Sequence, residues 1–157
     1  MTTTHSETDL ARDLLAGILQ RMSIQAEVVV SDEDDKIHAD IRCEDDSDVQ
    51  RIIGRHGQVV DALQHLVGKM LIRARGEKGR PVIVDAGGYR QKQIERLEEL
   101  ASRMADKCRD QGRPVDLSPM SAHDRRIVHM AIAKIDGVET RSEGEGEDRH
   151  IVVFPAE

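Results

Sequence analysis

Residues 53–60 read Ile-Gly-Arg-His-Gly-Gln-Val-Val, a Gly-x-x-Gly turn set between two short apolar helical stretches. Such a corner restricts what the surrounding chain can build. Glycines at 54 and 57 let the backbone approach a bulky anion with no Cβ in the way. A helix starting at Gly57 points unsatisfied N–H groups and the positive end of its dipole at that anion. Arg55 and His56, at the tip, add side-chain donors. The arrangement suits the sugar-phosphate backbone of a single nucleic-acid strand.

The elements around the turn follow from periodicity. Residues 1–8 are polar and Thr-rich and are expected to form a disordered tail. Leu10, Leu14, Leu15, Ile18, Leu19 and Met22 make the stripe of an amphipathic helix. A strand over 24–30, an acidic turn at 31–35 and an alternating strand carrying Ile37, Ala39, Ile41 and Cys43 predict a hairpin. The acidic run at 44–48 supplies an N-cap for a short helix through Ile53. After the turn, Val60, Leu63, Leu66, Val67, Met70 and Leu71 predict a long helix that places Lys69 and Arg73 outward. Gly76 and Gly79 stop it, and 80–86 reads as a buried strand.

The second half opens with a helix over 89–110 that carries Ile94, Leu97, Ala101, Met104, Ala105 and Cys108 inward. A short extended piece follows at 114–117. Ser121 caps a helix over 122–135, and two strands at 138–142 and 150–154 close the chain. The expected organisation is a tail at 1–8, one α+β domain at 9–86 and a second small domain at 88–155.

Composition removes several alternatives. Tyr89 and Phe154 are the only aromatic residues among 157, so any core is aliphatic and base stacking on an aromatic platform is largely excluded. The net charge of −7 conceals a segregation: residues 1–50 carry a net of −9, whereas 51–80 carry 7 basic and 2 acidic residues, a net of +5. Positive charge therefore gathers around the glycine turn, which is what phosphate binding requires. Cys43 and Cys108 have no pair or metal-ligand spacing and read as buried thiols. The acidic hairpin does not fit a calcium loop, since from Asp32 the sixth position is Ile37 and the twelfth is Cys43. No run approaches the ~18 apolar residues of a membrane span, and no secretory signal opens the sequence. A cytoplasmic location is expected. The turn lacks the Gly-Lys-Ser/Thr of a phosphate-binding ATPase loop, and no nucleophile–base set can be assembled; no enzymatic activity, metal or cofactor is expected.

Residues 10–86 resemble a type II KH domain, in the order α-β-β-α-α-β and through the local pattern Ile53-Gly54-x-x-Gly57-x-x-Val60. In that family the turn clamps the backbone of about four unpaired nucleotides against an aliphatic groove; here Ile53, Gln58, Val59 and part of the second strand would line it. Residues 88–154 resemble the small α/β R-x-x-x-H domain, a single-strand nucleic-acid binder. The resemblance runs through Gly88-Tyr89-Arg90, Arg113-Pro114-Val115, Pro119-Met120, Arg125-Arg126-x-Val128-His129, Glu139-Thr140 and Ser142-Glu143-Gly144. Arg125 and His129 share one helix face about 6 Å apart, where both can reach one phosphate.

The tandem is similar to the Jag (KhpB) family of bacterial RNA-binding proteins. The resemblance implies binding of single-stranded RNA by Arg51, Ile53, Gly54, Arg55, His56, Gly57, Gln58 and Val59 in the first domain and by Arg125, Arg126 and His129 in the second. It also implies a post-transcriptional or RNA-chaperone role linked to cell-envelope growth and division, and pairing with a small KH protein or self-association. Many members carry an extra small N-terminal domain, whose functions are not expected of a sequence that begins almost at the KH helix. His123-Asp124 stands where an aromatic and Glu are frequent, and the Arg-His turn tip replaces the common Lys and Arg.

Overall fold

A computed structural model of the chain describes residues 6–76 and 79–156. The chain divides between Tyr89 and Arg90 into two compact units, each with its own core.

The first unit runs α1 (Glu7–Arg21), β1 (Glu27–Glu33), β2 (Lys36–Arg42), α2 (Asp46–Ile53), a single 3-10 turn (Arg55–Gly57), α3 (Gln58–Arg75) and β3 (Val82–Ala86). This is the α-β-β-α-α-β order expected. The sheet order is β1-β2-β3, with β1 antiparallel and β3 parallel to β2. Alternate residues Ile37, Ala39 and Ile41 of β2 and Val82, Val84 and Ala86 of β3 are buried on one face. Ala11, Leu15 and Leu19 of α1 and Val60, Leu63, Val67 and Leu71 of α3 complete the same aliphatic cluster. Each such Leu or Ile contributes about 1.5–3 kcal/mol by leaving water, and the half-buried Tyr89 packs against the cluster.

Local chemistry displaces three predicted boundaries. Residues 1–5 of the predicted tail lie outside the described residues, but Ser6 is an N-cap whose Oγ accepts from the Asp9 N–H at 3.1 Å, and Glu7 and Thr8 are already helical. Capping by a Ser three residues before an Asp outweighs the polar composition of that stretch. The first strand begins at Glu27 and not near 24, because Ile24 belongs to the end of α1. Its N–H donates to Leu19 O and that of Ser23 to Gln20 O, both at 3.0 Å, with Ser23 at φ 58° in the left-handed region. The acidic stretch at 31–35 is mostly strand: Glu33 pairs with Lys36, leaving a two-residue loop at Asp34-Asp35. Arg80 locks this end of the unit, its Nε donating to Glu7 at 2.7 Å and a terminal nitrogen to Asp32 at 2.5 Å. Both carboxylates hold its pKa above the usual arginine value.

The second unit begins at the second residue of α4 (Tyr89–Gln111) and continues through β4 (Val115–Asp116), α5 (Ala122–Ile132), β5 (Val138–Glu143) and β6 (His150–Pro155), with an antiparallel sheet in the order β4-β6-β5. Leu97, Ala101, Ala105 and Cys108 of α4 and Val128 and Ile132 of α5 pack on Ile151 and Val153 of β6. The α5 helix stops at Ile132, three residues before the predicted end, and Ile135 N–H closes onto Ile132 O at 2.8 Å. Cys108 is fully buried, whereas Cys43 is only half-buried; burial raises both thiol pKa values, with Asp48 and Asp45 adding to the rise at Cys43.

Candidate nucleic-acid interface

The Gly-x-x-Gly corner is built by conformations that side chains resist. Gly54 ends α2 at φ 71°, ψ −178°, and a Cβ there would overlap the Val59 side chain, 2.9 Å from its Cβ. His56 occupies the left-handed region at φ 54°, ψ 27°, and Gly57 follows at φ 78°, ψ 10° as the N-cap of α3. The glycines thus satisfy internal packing first, because Gly57 lies against the Tyr89 ring, where a Cβ would stand 2.5 Å from the hydroxyl oxygen.

That backbone turns the tip outward. Arg55 and His56 are exposed, and neither side chain has a protein partner among the described residues. The N-cap of α3 supplies no side-chain oxygen to its first N–H groups, although Gln58 N–H bonds to Arg55 O. A positive helix end and two outward basic side chains favour an anion at this corner, while Asp61 stands in the first turn of α3. Gln58 is exposed and Val59 half-buried beside the tip, while Ile53 is 8% exposed and sits in the core. Ile53, expected to line the groove, is thus a core residue. Lys69 and Arg73 are exposed on α3 without ion pairs among the described residues.

Arg51 behaves differently. Its guanidinium donates to Met22 O at 2.8 Å, at the C-terminus of α1, and to Asp48 at 2.9 Å. The side chain ties two helices together and is not an idle cation beside the turn. The depression lined by Glu27, Glu44, Asp45, Asp48 and Arg42, about 660 Å³ in volume, is acidic and unsuited to phosphate.

In the second unit Ser121 caps α5, accepting from Asp124 N–H at 3.1 Å. Arg125 donates to Met120 O at 2.7 Å, which fixes one side of its guanidinium. One turn later, the exposed His129 places Nδ1 2.5 Å from Thr140 Oγ1 on β5. Nε2 of that ring is then the nitrogen left for a ligand. Arg126 is exposed on the same helix. Motif spacing identified Arg125 and His129, but the fixing contacts from Met120 and Thr140 cross between elements and have no local signature. Among the described residues no three His, Cys, Asp or Glu side chains are grouped to hold a metal ion, and no helix is long and apolar enough to cross a membrane.

Comparison with known proteins matches these units to two family models, the KhpA/KhpB KH domain over residues 8–83 and the R-x-x-x-H domain over 95–155. The chain belongs to the Jag/KhpB family. Among relatives in that family, the RNA-binding protein KhpB of Clostridium symbiosum is 32% identical over 145 residues, covering 92% of this chain and 64% of the relative. The Bacillus subtilis protein of the same name is 36% identical over 104 residues, covering 65% and 50% respectively. That of Streptococcus pneumoniae serotype 2 is 35% identical over 109 residues, covering 69% and 33%. The chain thus spans between a third and about two thirds of the length of these family members.

Proposed function

We propose that the chain binds single-stranded RNA in the cytoplasm, through the glycine turn of its KH unit and the Arg125–His129 face of its second unit. The observation that carries this reading is the turn tip: Arg55 and His56 project from a rigid left-handed corner at a helix N-terminus, with no protein partner among the described residues. The corner supplies phosphate-directed donors without sequence readout, and Gln58 and Val59 form the adjacent wall. The name of the relatives agrees with the reading. Two weak modules on one chain raise the effective affinity for a strand long enough to meet both. A role in post-transcriptional control linked to envelope growth belongs to the same proposal.

The test replaces Arg55 and His56 together by Asp. Affinity for a short unpaired RNA should collapse while the thermal melt is unchanged, and wild-type affinity in that variant would reject the reading. A salt titration adds to it: log affinity should fall linearly with log salt, by about 0.7 per phosphate contacted on a single strand.

A second reading is favoured by one feature of α3. Leu66 and Met70, one turn apart and both expected on the inward stripe, flank the buried Val60, Leu63 and Val67 and are 47% and 38% exposed. Such a stripe suits docking of a second KH module, a small KH protein or another copy, with RNA binding secondary. Size-exclusion chromatography with and without nuclease separates direct association from RNA-mediated association.

A further inference from the structure

We propose that Arg149 is a third cation of the anion site on the second unit, a residue that lies outside the Arg-x-x-x-His pattern. The inference rests on the RNA-binding reading above and extends it.

A closed circuit of contacts carries it. Arg125 donates to Met120 O at 2.7 Å. The Met120 N–H donates in turn to Arg149 O at 3.2 Å. Arg149 Nε donates to Ser142 Oγ at 3.0 Å. Ser142 and Thr140 stand two residues apart on β5, opposite Ile151 and Val153, so both face the helix side of the sheet. Thr140 Oγ1 meets His129 Nδ1 at 2.5 Å, and His129 lies one helical turn from Arg125. Residues from α5, the segment before it, β5 and the loop before β6 thus form one ring.

The chemistry of Arg149 fits a ligand better than a structural bridge. Its backbone carbonyl already serves Met120, and the guanidinium commits only Nε, to a neutral hydroxyl. Both terminal nitrogens are left, the pair that grips phosphate oxygens in a fork. Glu145, Glu147 and Asp148 occupy the same hairpin loop, yet none forms an ion pair with Arg149 among the described residues. An exposed arginine amid three carboxylates that is held by a serine instead is oriented for an anion from outside. Ser142 is its positioning residue, as Thr140 is for His129.

The experiment measures affinity of the full chain for a short labelled oligouridylate across a salt series. Arg149→Gln should weaken binding several-fold and make the log–log slope shallower by about 0.7, one phosphate contact on a single strand. Arg149→Lys should restore the slope. Lys107→Gln, an exposed cation on α4, should behave as wild type. Thermal midpoints are taken for each variant. If Arg149→Gln does not fold, Ser142→Ala decides: weaker binding at an unchanged slope supports the proposal, and unchanged binding overturns it. Wild-type slope and affinity in folded Arg149→Gln, or an equal change in Lys107→Gln, also overturns it. In either case a loss in the Arg55/His56 double variant leaves the RNA-binding reading standing. Absence of binding by the wild-type chain overturns both.

Discussion

Gly57 packs against Tyr89 so closely that a Cβ at 57 would fall 2.5 Å from the phenolic oxygen and 2.8 Å from Cε1. The second glycine of the turn is therefore fixed by an aromatic residue 32 positions later, at the end of the same unit. Gly57→Ala should cost about 1–2 kcal/mol for the left-handed backbone alone, plus the displacement of Tyr89. A double-mutant cycle with Tyr89→Ala, read by urea unfolding, should return only the collision part of that loss. Strict additivity of the two changes would mean that the ring is not what excludes a side chain there.

Gly54→Ala should be worse than Gly57→Ala. At φ 71° and ψ −178° the residue occupies a region essentially reserved for glycine, and its Cβ would strike Val59 as well. Val59→Ala relieves the collision but not the dihedral, so it should rescue only part of the stability. Gly88→Ala, at φ 66° with open space around it, supplies the reference for a dihedral cost alone. A Gly54→Ala midpoint equal to that of Gly88→Ala would contradict this ranking.

Much of this architecture is legible in the sequence because its signals are local and mutually consistent. The alternation of Ile37, Ala39 and Ile41, the stripe from Val60 to Leu71 and the cap at Ser121 each specify an element without reference to the rest of the chain. What escapes is decided across distance. The start of β1 depends on how α1 terminates at Ser23 and on register with β2, neither of which periodicity encodes. The roles of Arg51, Thr140, Ser142 and Arg149 depend on partners brought up by tertiary packing. Even the glycines, legible as a turn, owe their identity to Val59 and Tyr89 more than to the anion they were expected to admit.

His150 should make the second unit sensitive to pH. Its Nδ1 lies 2.8 Å from Asp148 O and its Nε2 3.4 Å from Asp116 Oδ1. The Asp148 carbonyl foremost, then Asp116 and Glu143, raise its pKa above the ordinary 6.5. Folding thus favours the protonated ring. The stabilisation is complete below pH 6.5 and is lost as pH rises through the higher folded value. The urea midpoint should fall between pH 6 and pH 8 (roughly the range in which imidazoles titrate), and His150→Gln should flatten that segment of the profile. An equally steep profile in the variant would assign the dependence elsewhere.

Arg51 and Arg55 stand four residues apart and should separate stability from binding. Arg51 bridges the C-terminus of α1 and Asp48, at 2.8 and 2.9 Å, with about half its side chain exposed. Truncating it to Gln removes a charged hydrogen bond to a helix-end carbonyl, for a loss of about 1 kcal/mol after solvent screening. Because both terminal nitrogens are already held, by Asp48 and by Met22 O, RNA affinity should change little. Arg55→Gln should do the reverse: no partner is lost from the fold among the described residues, while one phosphate contact disappears and the salt slope becomes shallower. Urea unfolding and RNA titration on the same two proteins check both halves. If Arg51→Gln lost as much affinity as Arg55→Gln at full stability, its bonds to Met22 and Asp48 would have to give way when RNA binds. The turn would then extend one helical turn further back into α2.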